Sequence, residues 1–257
     1  MANIHPTAII EPGAEIGADV EIGPYCVVGA KVRLGAGTRL MSHVVIAGAT
    51  TLGEKCEVFP FASIGQQTQD LKFKGGTPRV EIGNGTTIRE FVTVNAATND
   101  GDVTRVGSGC HIMAYAHIAH DCVVGDSVIM ANCATLAGHV TVEDMASIGG
   151  LSGVHQFVRI GRQAFVGGCS KVTQDVPPFM IADGNPLSIH GLNSVGLKRR
   201  GVDEKAQALL KAAFKLLYRD GLTTRQAIER IESEVEKVAE VVYLTDFVKA
   251  STRGIVR

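Results

Sequence analysis

The segment IHPTAIIEPGAEIGADVEIG (residues 4–23) repeats every six residues. Each repeat opens with an isoleucine: Ile4, Ile10, Ile16 and Ile22. A small residue occupies the fifth place of the first two repeats, as Ala8 and Ala14. Because an α-helix repeats every 3.6 residues, a period of six matches no helix face, whereas it matches a short strand followed by a corner.

The same frame continues through most of the chain. Aliphatic residues or methionine recur at every sixth position over 4–64, 82–94 and 106–172. Three hexads make one triangular coil, and coils with aliphatic interiors stack at the strand spacing of about 4.8 Å. The pattern predicts a mainly β fold, a left-handed parallel β-helix of hexapeptide repeats.

Two polar segments interrupt the repeat. They are QQTQDLKFKGGTPR (66–79) and AATNDGDVTR (96–105). Both gaps are multiples of six, so the frame resumes after each one. We expect both segments to be loops that leave the wall, and such loops often carry function.

The repeat ends before Pro177 and Pro178, which cannot continue a paired strand. Beyond them, apolar residues at helical spacing predict helices over 203–221, 224–236 and 240–251. Thr223 and Gln226 resemble a capping box at the start of the second helix.

The chain is therefore expected to have two domains. Residues 1–191 form the β-helix domain and residues 192–257 form a small α-helical C-terminal domain. A domain at this place would cover the open edge of the last coil.

Composition excludes several classes of function. The formal net charge is −1, so no overall field favours nucleic acid. No apolar run is long enough for an integral membrane segment, and the N-terminus has no basic region of a signal peptide. The six cysteines form no CxxC pair, which fits reduced side chains used as small core residues. We expect a cytoplasmic protein.

The segment AHIAHDCVVGD (116–126) places histidines and an aspartate in the wall. His120, Gly138 and Gln156 lie 18 residues apart and should stack on three consecutive coils. Three further histidines have neighbouring phases: His117, His139 and His155. Spacing alone leaves three interpretations open: a solvated polar edge, a catalytic or binding strip, and a zinc site.

The chemistry open to such a strip is narrow. The chain has neither a GxSxG nucleophile motif nor a GxxxxGK[ST] phosphate loop. A histidine such as His120 suits general base work, and Asp121 could orient it. The backbone N–H groups of Gly138 and Gly150 could face a developing oxyanion. This combination indicates acyl transfer to a sugar hydroxyl or amine without a covalent enzyme intermediate.

Seven motifs in order along the chain resemble the bacterial UDP-N-acetylglucosamine O-acyltransferase family, which catalyses the first step of lipid A biosynthesis. They are IHPTAIIEPGAEIG (4–17), TQDLK (68–72), HIAHDCVVG (117–125), LAGHV (136–140), GGLSGVHQFVRIG (149–161), QDVPPF (174–179) and GLNSVGLKRRG (191–201). Hexads are common to many acyltransferases, but HIAHD, VHQF and the last motif in sequence are specific.

The resemblance implies a soluble homotrimer with active sites in clefts between neighbouring coils. The donor would be a 3-hydroxyacyl chain on acyl carrier protein, and the acceptor would be the glucosamine 3-OH of UDP-N-acetylglucosamine. The resemblance implies no cofactor and no metal.

The resemblance also implies roles for individual residues. His120 matches the general base, Asp121 its supporting carboxylate and Gly138 the oxyanion donor. The residues that match substrate contacts are Asp70, Lys72, His117, His139, His155, Gln156, Asn193, Arg199 and Arg200. Gly168 matches a residue that lines the acyl groove, and the nearby Lys171 could block that groove.

Two departures concern the acceptor. Asn95 and Ala96 stand where many family members have a histidine or asparagine followed by a basic residue, and Val195 stands where some have an acidic residue. The acyl length stays open, and so does transfer to the 3-amine of a UDP-diamino sugar. The competing hypotheses are a later N-acyltransferase of the same pathway, an acetyl-CoA-dependent acetyltransferase, a zinc-dependent hydratase and a purely structural solenoid.

Overall fold

The computed structural model describes residues 1–257. Short strands wind into a three-sided prism, one strand per side in each coil, as the hexads predicted. The predicted left-handed parallel β-helix is confirmed.

The first eleven strands precede the first loop. They are β1 (Asn3–Ile4), β2 (Ile9–Ile10), β3 (Glu15–Ile16), β4 (Glu21–Ile22), β5 (Val27–Val28), β6 (Arg33–Leu34), β7 (Arg39–Leu40), β8 (Val45–Ile46), β9 (Ala49–Leu52), β10 (Glu57–Val58) and β11 (Ser63–Gln66). Three strands lie between the two loops. They are β12 (Arg79–Ile82), β13 (Thr87–Ile88) and β14 (Thr93–Asn95).

The remaining strands follow the second loop. They are β15 (Val103–Val106), β16 (His111–Ile112), β17 (His117–Ile118), β18 (Val123–Val124), β19 (Ile129–Met130), β20 (Thr135–Leu136), β21 (Thr141–Val142), β22 (Ser147–Ile148), β23 (Gly153–Val154), β24 (Arg159–Ile160), β25 (Phe165–Val166), β26 (Lys171–Val172), β27 (Met180–Asp183) and β28 (Ser188–Leu192).

Each side of the prism is one sheet of every third strand. The first sheet starts at β1 and has 11 strands, the second starts at β2 and has 9, and the third starts at β3 and has 8. All pairings are parallel except the final β27–β28 hairpin. From Ile22 onward, the aliphatic side chains that open the hexads point inward, and they belong to one continuous core of 60 buried residues that extends into the C-terminal helices.

The strand register shows where the two loops leave the wall. Ordinary partners lie 18 residues apart, as Glu15 and Arg33 do. Ala49 pairs with Arg79 and Arg79 pairs with Val103, so these coils contain 12 and 6 extra residues respectively. The extra residues are the two predicted loops, and together they restore the original frame.

Four helices follow the prism: α1 (Ser194–Arg199), α2 (Glu204–Tyr218), α3 (Thr224–Glu234) and α4 (Ala239–Ala250). The last three occupy the expected segments, and Thr223 forms the expected capping box with Gln226. The six-residue α1 was not expected, and it places Lys198 and Arg199 at a helix end. Strand β28 crosses the proposed boundary at residue 191, so the division into two domains stays a prediction.

The C-terminal segment returns to the last coil of the prism. Asp175 pairs with Ile255 through a parallel bridge, and its buried carboxylate accepts hydrogen bonds from the Arg159 N–H and the Ser251 hydroxyl at 2.8 and 2.7 Å. These contacts cover the open strand edge that a solenoid end would otherwise present. No helix has both the length and the apolar character needed to cross a membrane.

Candidate active site

The two loops meet beside the second sheet. Thr68 of the first loop and Thr98 of the second are both buried, and their hydroxyl oxygens lie 3.4 Å apart. Farther out, the Thr77 N–H donates to Asp100 at 2.7 Å. The loops therefore support one another and stand together over the coil that follows.

His120 and Asp121 lie at the corner that follows β17. The imidazole Nδ1 is 2.8 Å from Asp121 Oδ2, and the two side chains are only 15% and 10% exposed. Asp121 has a left-handed φ of 59°, a conformation that aspartate adopts more readily than most residues. Its backbone N–H donates to the Thr104 hydroxyl at 2.8 Å, which fixes the corner.

Gly138 lies one coil beyond His120 and directly against the imidazole. Any side chain at this position would overlap the ring atoms of His120. Gly138 is buried, and its backbone N–H has no acceptor within the protein. Since buried N–H groups are nearly always paired, this one is suited to an acceptor on a bound molecule.

His139 packs on the other side of the carboxylate. Its Nε2 lies 3.7 Å from Asp121 Oδ2, and its ring meets the His120 ring edge-on at 5.2 Å. Phe157 stacks on the His139 ring at 4.6 Å. One carboxylate therefore faces two imidazoles, and an aromatic ring holds the outer imidazole in place.

His117 projects from β17 on the same coil as His120. The Thr93 hydroxyl lies 2.7 Å from its Nδ1. Burial lowers the pKa of His117, and the positive charge of a protonated His120 lowers it further. Both effects disfavour the charged form of His117 beside the corner.

The first loop brings Asp70 to this cluster. The Lys72 N–H donates to its carboxylate at 2.9 Å, and the Thr98 hydroxyl lies 3.5 Å from Oδ2. The Lys72 N–H bond lowers the pKa of Asp70, and His120 and the Lys72 ammonium lower it further. The Lys72 side chain is exposed and lines an open cavity of roughly 660 Å³ between the loops.

Other predicted site residues lie outside this hydrogen-bonded cluster. His155 is exposed, and its Nδ1 lies 3.3 Å from Nη2 of Arg253. Gln156 is also exposed, and its side chain has no hydrogen-bond partner. Asn193 caps α1, accepting from the Gly196 N–H and donating to the Gln163 carbonyl. The other four are exposed: Arg199, Arg200, Gly168 and Lys171. None of the three basic side chains forms an ion pair.

The structure also locates the two departures. Asn95 is buried beneath the first loop, with its Nδ2 3.5 Å from the Gln67 carbonyl and its Oδ1 unpartnered. Ala96 is buried as well, and its N–H donates to the Gln66 carbonyl. Val195 is 67% exposed on α1.

Sequence reasoning missed the threonines. Thr68, Thr93 and Thr98 each contact a residue that the sequence singled out or join the loops that carry those residues. Two of them lie in loops where the hexad frame is interrupted, so no phase could be assigned to them. The only available signal was that these threonines lie in or beside a polar segment that interrupts the repeat.

The cluster could also hold a metal. His120, Asp121 and His139 each offer one ligand atom, and these three atoms lie within 4.8 Å of one another. However, both imidazoles face the same carboxylate oxygen, which is the arrangement of a hydrogen-bonded network. The remaining nitrogen of His120, Nε2, makes no hydrogen bond to the protein.

Comparison with known proteins relates the chain to acyltransferases. A family model for bacterial transferase hexapeptide repeats matches residues 1–36 and 104–138. A model described as domain 2 of UDP-N-acetylglucosamine O-acyltransferase matches residues 175–256. The acyl-[acyl-carrier-protein]–UDP-N-acetylglucosamine O-acyltransferase of Thermodesulfovibrio yellowstonii is 53% identical, over 100% of both chains.

The chain belongs to the UDP-N-acetylglucosamine O-acyltransferase family. Solved structures of family members superpose along its whole length. LpxA from Acinetobacter baumannii is 46% identical with a TM-score of 0.95, covering 99% of each chain. The Bacteroides fragilis acyltransferase is 35% identical with a TM-score of 0.96, covering 99% of this chain and 100% of its own.

We expect Gly138→Ala to lose most of its acyl-transfer activity, because the added methyl group must displace the His120 ring. Displacing a catalytic group by about 1 Å can cost about 100-fold in rate. Gly29→Ala is the matched control, since a side chain there meets its nearest atom at an ordinary 3.5 Å. Full turnover in Gly138→Ala, measured by product mass, would show that the imidazole does not need this position.

The lowered pKa of His117 predicts a pH effect on stability. As the pH falls through the unfolded value of about 6.5, the unfolded chain binds a proton that folded His117 resists, so the folded state loses stability. His117→Asn removes this contribution. Its melting temperature should therefore fall less than that of the wild type between about pH 7.5 and pH 5.5. Parallel curves for the two proteins would contradict the assignment.

Proposed function

We propose that this protein transfers a 3-hydroxyacyl chain from acyl carrier protein to the glucosamine 3-OH of UDP-N-acetylglucosamine, the first step of lipid A biosynthesis. One observation carries the mechanism. His120 has its Nδ1 on the Asp121 carboxylate and its Nε2 free, and Gly138, whose N–H is unpaired, lies against the same ring. A base and an oxyanion donor are thus adjacent.

In the proposed mechanism, His120 Nε2 removes the proton of the 3-OH as that oxygen attacks the thioester carbonyl. The carbonyl oxygen becomes an oxyanion and accepts a hydrogen bond from the Gly138 N–H. The tetrahedral intermediate collapses, the C–S bond breaks, and the imidazolium returns its proton to the carrier thiolate. Asp121 holds the ring in orientation and stabilises its charged form.

Further residues are proposed to hold the substrates. Asp70 and Lys72 would contact the acceptor sugar from the first loop, next to His120. A set of side chains along the same corner would surround sugar and nucleotide: His117, His139, His155 and Gln156. Asn193, Arg199 and Arg200 would contact the nucleotide, where an arginine fork suits a pyrophosphate.

The proposal includes a homotrimer, and the outward residues of the second sheet support it. The first sheet carries the charged ladder Glu21, Arg39 and Glu57, and the third carries Glu15, Arg33 and Arg105. The second sheet carries no outward charge before its last strand. Its outward residues to that point are Ile9, Val27, Val45, Ser63, Thr93, His117, Thr135 and Gly153.

A column of apolar and aromatic side chains borders this sheet, and all of its members except the half-buried Cys133 are exposed. Its members are Tyr25, His43, Phe61, Phe91, Tyr115, Cys133, Leu151 and Cys169, all at left-handed corner positions. The rings of the first five stack in succession, with centroids 4.8–5.0 Å apart. An uncharged sheet beside an apolar column is suited to burial against other copies of the chain.

The acyl carrier protein is proposed to approach the C-terminal helices. Basic residues recur along α2 and at its C-cap, and they could steer an acidic partner: Lys205, Lys211, Lys215 and Arg219. Of these, Lys205 forms an ion pair with Glu236. We also propose a cytoplasmic location, which fits a chain whose six cysteines are all free. Family membership favours acyl transfer over a hydratase, an acetyl-CoA-dependent enzyme and a structural solenoid.

His120→Ala should lose acyl transfer by about 10²–10⁴-fold while folding normally, because it removes the general base. His5→Ala, which removes an exposed histidine of the first coil whose ring contacts only Thr7, is the control. Purified protein, charged acyl carrier proteins and both candidate nucleotide sugars would be assayed by mass spectrometry. Turnover within a few-fold of wild type in His120→Ala would refute the assignment, and stoichiometric zinc in the purified protein would favour the hydratase.

Gly168→Met should shift the enzyme to shorter acyl chains. Gly168 is exposed, and a β-carbon there would lie 3.3 Å from the Gly150 carbonyl, so a long side chain would extend outward across the proposed groove. Competition among carrier proteins with chains of different length measures the preference. An unchanged preference for acyl-chain length would show that Gly168 does not line the groove.

A further inference from the structure

Thr98 forms hydrogen bonds with both members of the His120–Asp121 pair. It lies in the second loop, outside any strand, and it is 5% exposed. Its backbone and its hydroxyl contact different members of the site. Neither contact follows from the hexad repeat, because the loop is an insertion into the coil.

The backbone of Thr98 holds the carboxylate. Its N–H lies 3.2 Å from both Oδ1 and Oδ2 of Asp121. A shared donor of this kind fixes the plane of the carboxylate group. Asp121 Oδ2 is then directed to His120 Nδ1 at 2.8 Å.

The hydroxyl of Thr98 contacts the imidazole. Its Oγ1 lies 3.0 Å from the same His120 Nδ1. When Nε2 is the free base nitrogen, Nδ1 carries the proton and donates, so Thr98 Oγ1 must accept. Two acceptors on one N–H, at different positions, resist rotation of the ring better than one.

The hydroxyl proton of Thr98 then points away from the ring. Its two nearest acceptors are Thr68 Oγ1 at 3.4 Å and Asp70 Oδ2 at 3.5 Å. Both belong to the first loop, which carries the proposed acceptor contacts. The hydroxyl thus joins the catalytic pair to that loop through one chain of hydrogen bonds.

We propose that Thr98 is the positioning residue of the acyl transfer: its hydroxyl orients the His120 base and links it to the loop that carries Asp70. The inference rests on the proposed function, because it takes His120 as the base. Thr98 need not touch substrate. Its contribution is to the direction of Nε2 at the moment of proton transfer, so it should affect turnover more than substrate binding.

Thr98→Val tests the hydroxyl alone. Valine has nearly the same shape and keeps the N–H that holds Asp121, but it cannot accept from Nδ1. We expect kcat to fall about 10- to 100-fold, with KM for the nucleotide sugar within about 3-fold, since small misorientations of a base are costly. Thr98→Ser restores the hydroxyl and should keep kcat within about 3-fold of wild type.

Thr38→Val is the matched control. Thr38 is also buried, and its hydroxyl donates to the Gly53 carbonyl and accepts from the Cys56 N–H, far from the two loops. We expect the Thr38→Val variant to be less stable than the wild type and to have an unchanged kcat. Thr98→Ala, which introduces no bulk, repeats the test if the valine variant folds poorly.

The outcomes separate the two proposals. Wild-type kcat in Thr98→Val and Thr98→Ala, with His120→Ala inactive, would overturn the role of Thr98 alone. Equal losses in Thr98→Ser and Thr98→Val would also overturn it, because a hydroxyl would then not matter. An active His120→Ala would overturn the proposed function itself. Loss of kcat in the valine and alanine variants, with rescue by serine, supports the inference.

Discussion

The backbone hydrogen bonds between neighbouring coils are the constraint on which the rest of the structure depends. At the active corner, the His139 N–H donates to the His120 carbonyl at 3.1 Å, and the Phe157 N–H donates to the Gly138 carbonyl at 3.2 Å. These bonds lock each coil over the next in one register. They place Gly138 against the His120 ring without any hydrogen bond between the glycine and the imidazole.

The regular corners impose a cost that the stacking must offset. Asp121, His139 and Phe157 all have left-handed φ values, which disfavour residues with a side chain by about 1–2 kcal/mol each. Stacking of His139 on Phe157 and the Thr104 hydrogen bond at Asp121 stabilise that backbone. The functional side chains are therefore held by the same corner geometry that builds the prism.

The sequence alone predicted the prism, the inward residues and the three-coil alignment of His120, Gly138 and Gln156. A strict period makes this possible, since residue number converts directly into position. The period says nothing about residues in the loops, so it could not reveal that Thr98 meets His120. The sequence also showed no sign of α1, which at six residues is too short for a helical pattern. The expectation that all six cysteines are small core residues is wrong for Cys169, which is exposed.

Nε2 of His120 is free to act as the base only when the proton sits on Nδ1, where it is donated to Asp121 and Thr98. A long-range ¹H–¹⁵N correlation spectrum of histidine-labelled protein, under conditions where the ring is neutral, measures the tautomer. The His120→Gln variant would assign the signals. We expect the tautomer with the proton on Nδ1 and a bare Nε2. A proton on Nε2 with a bare Nδ1 would overturn the assignment of Nε2 as the base.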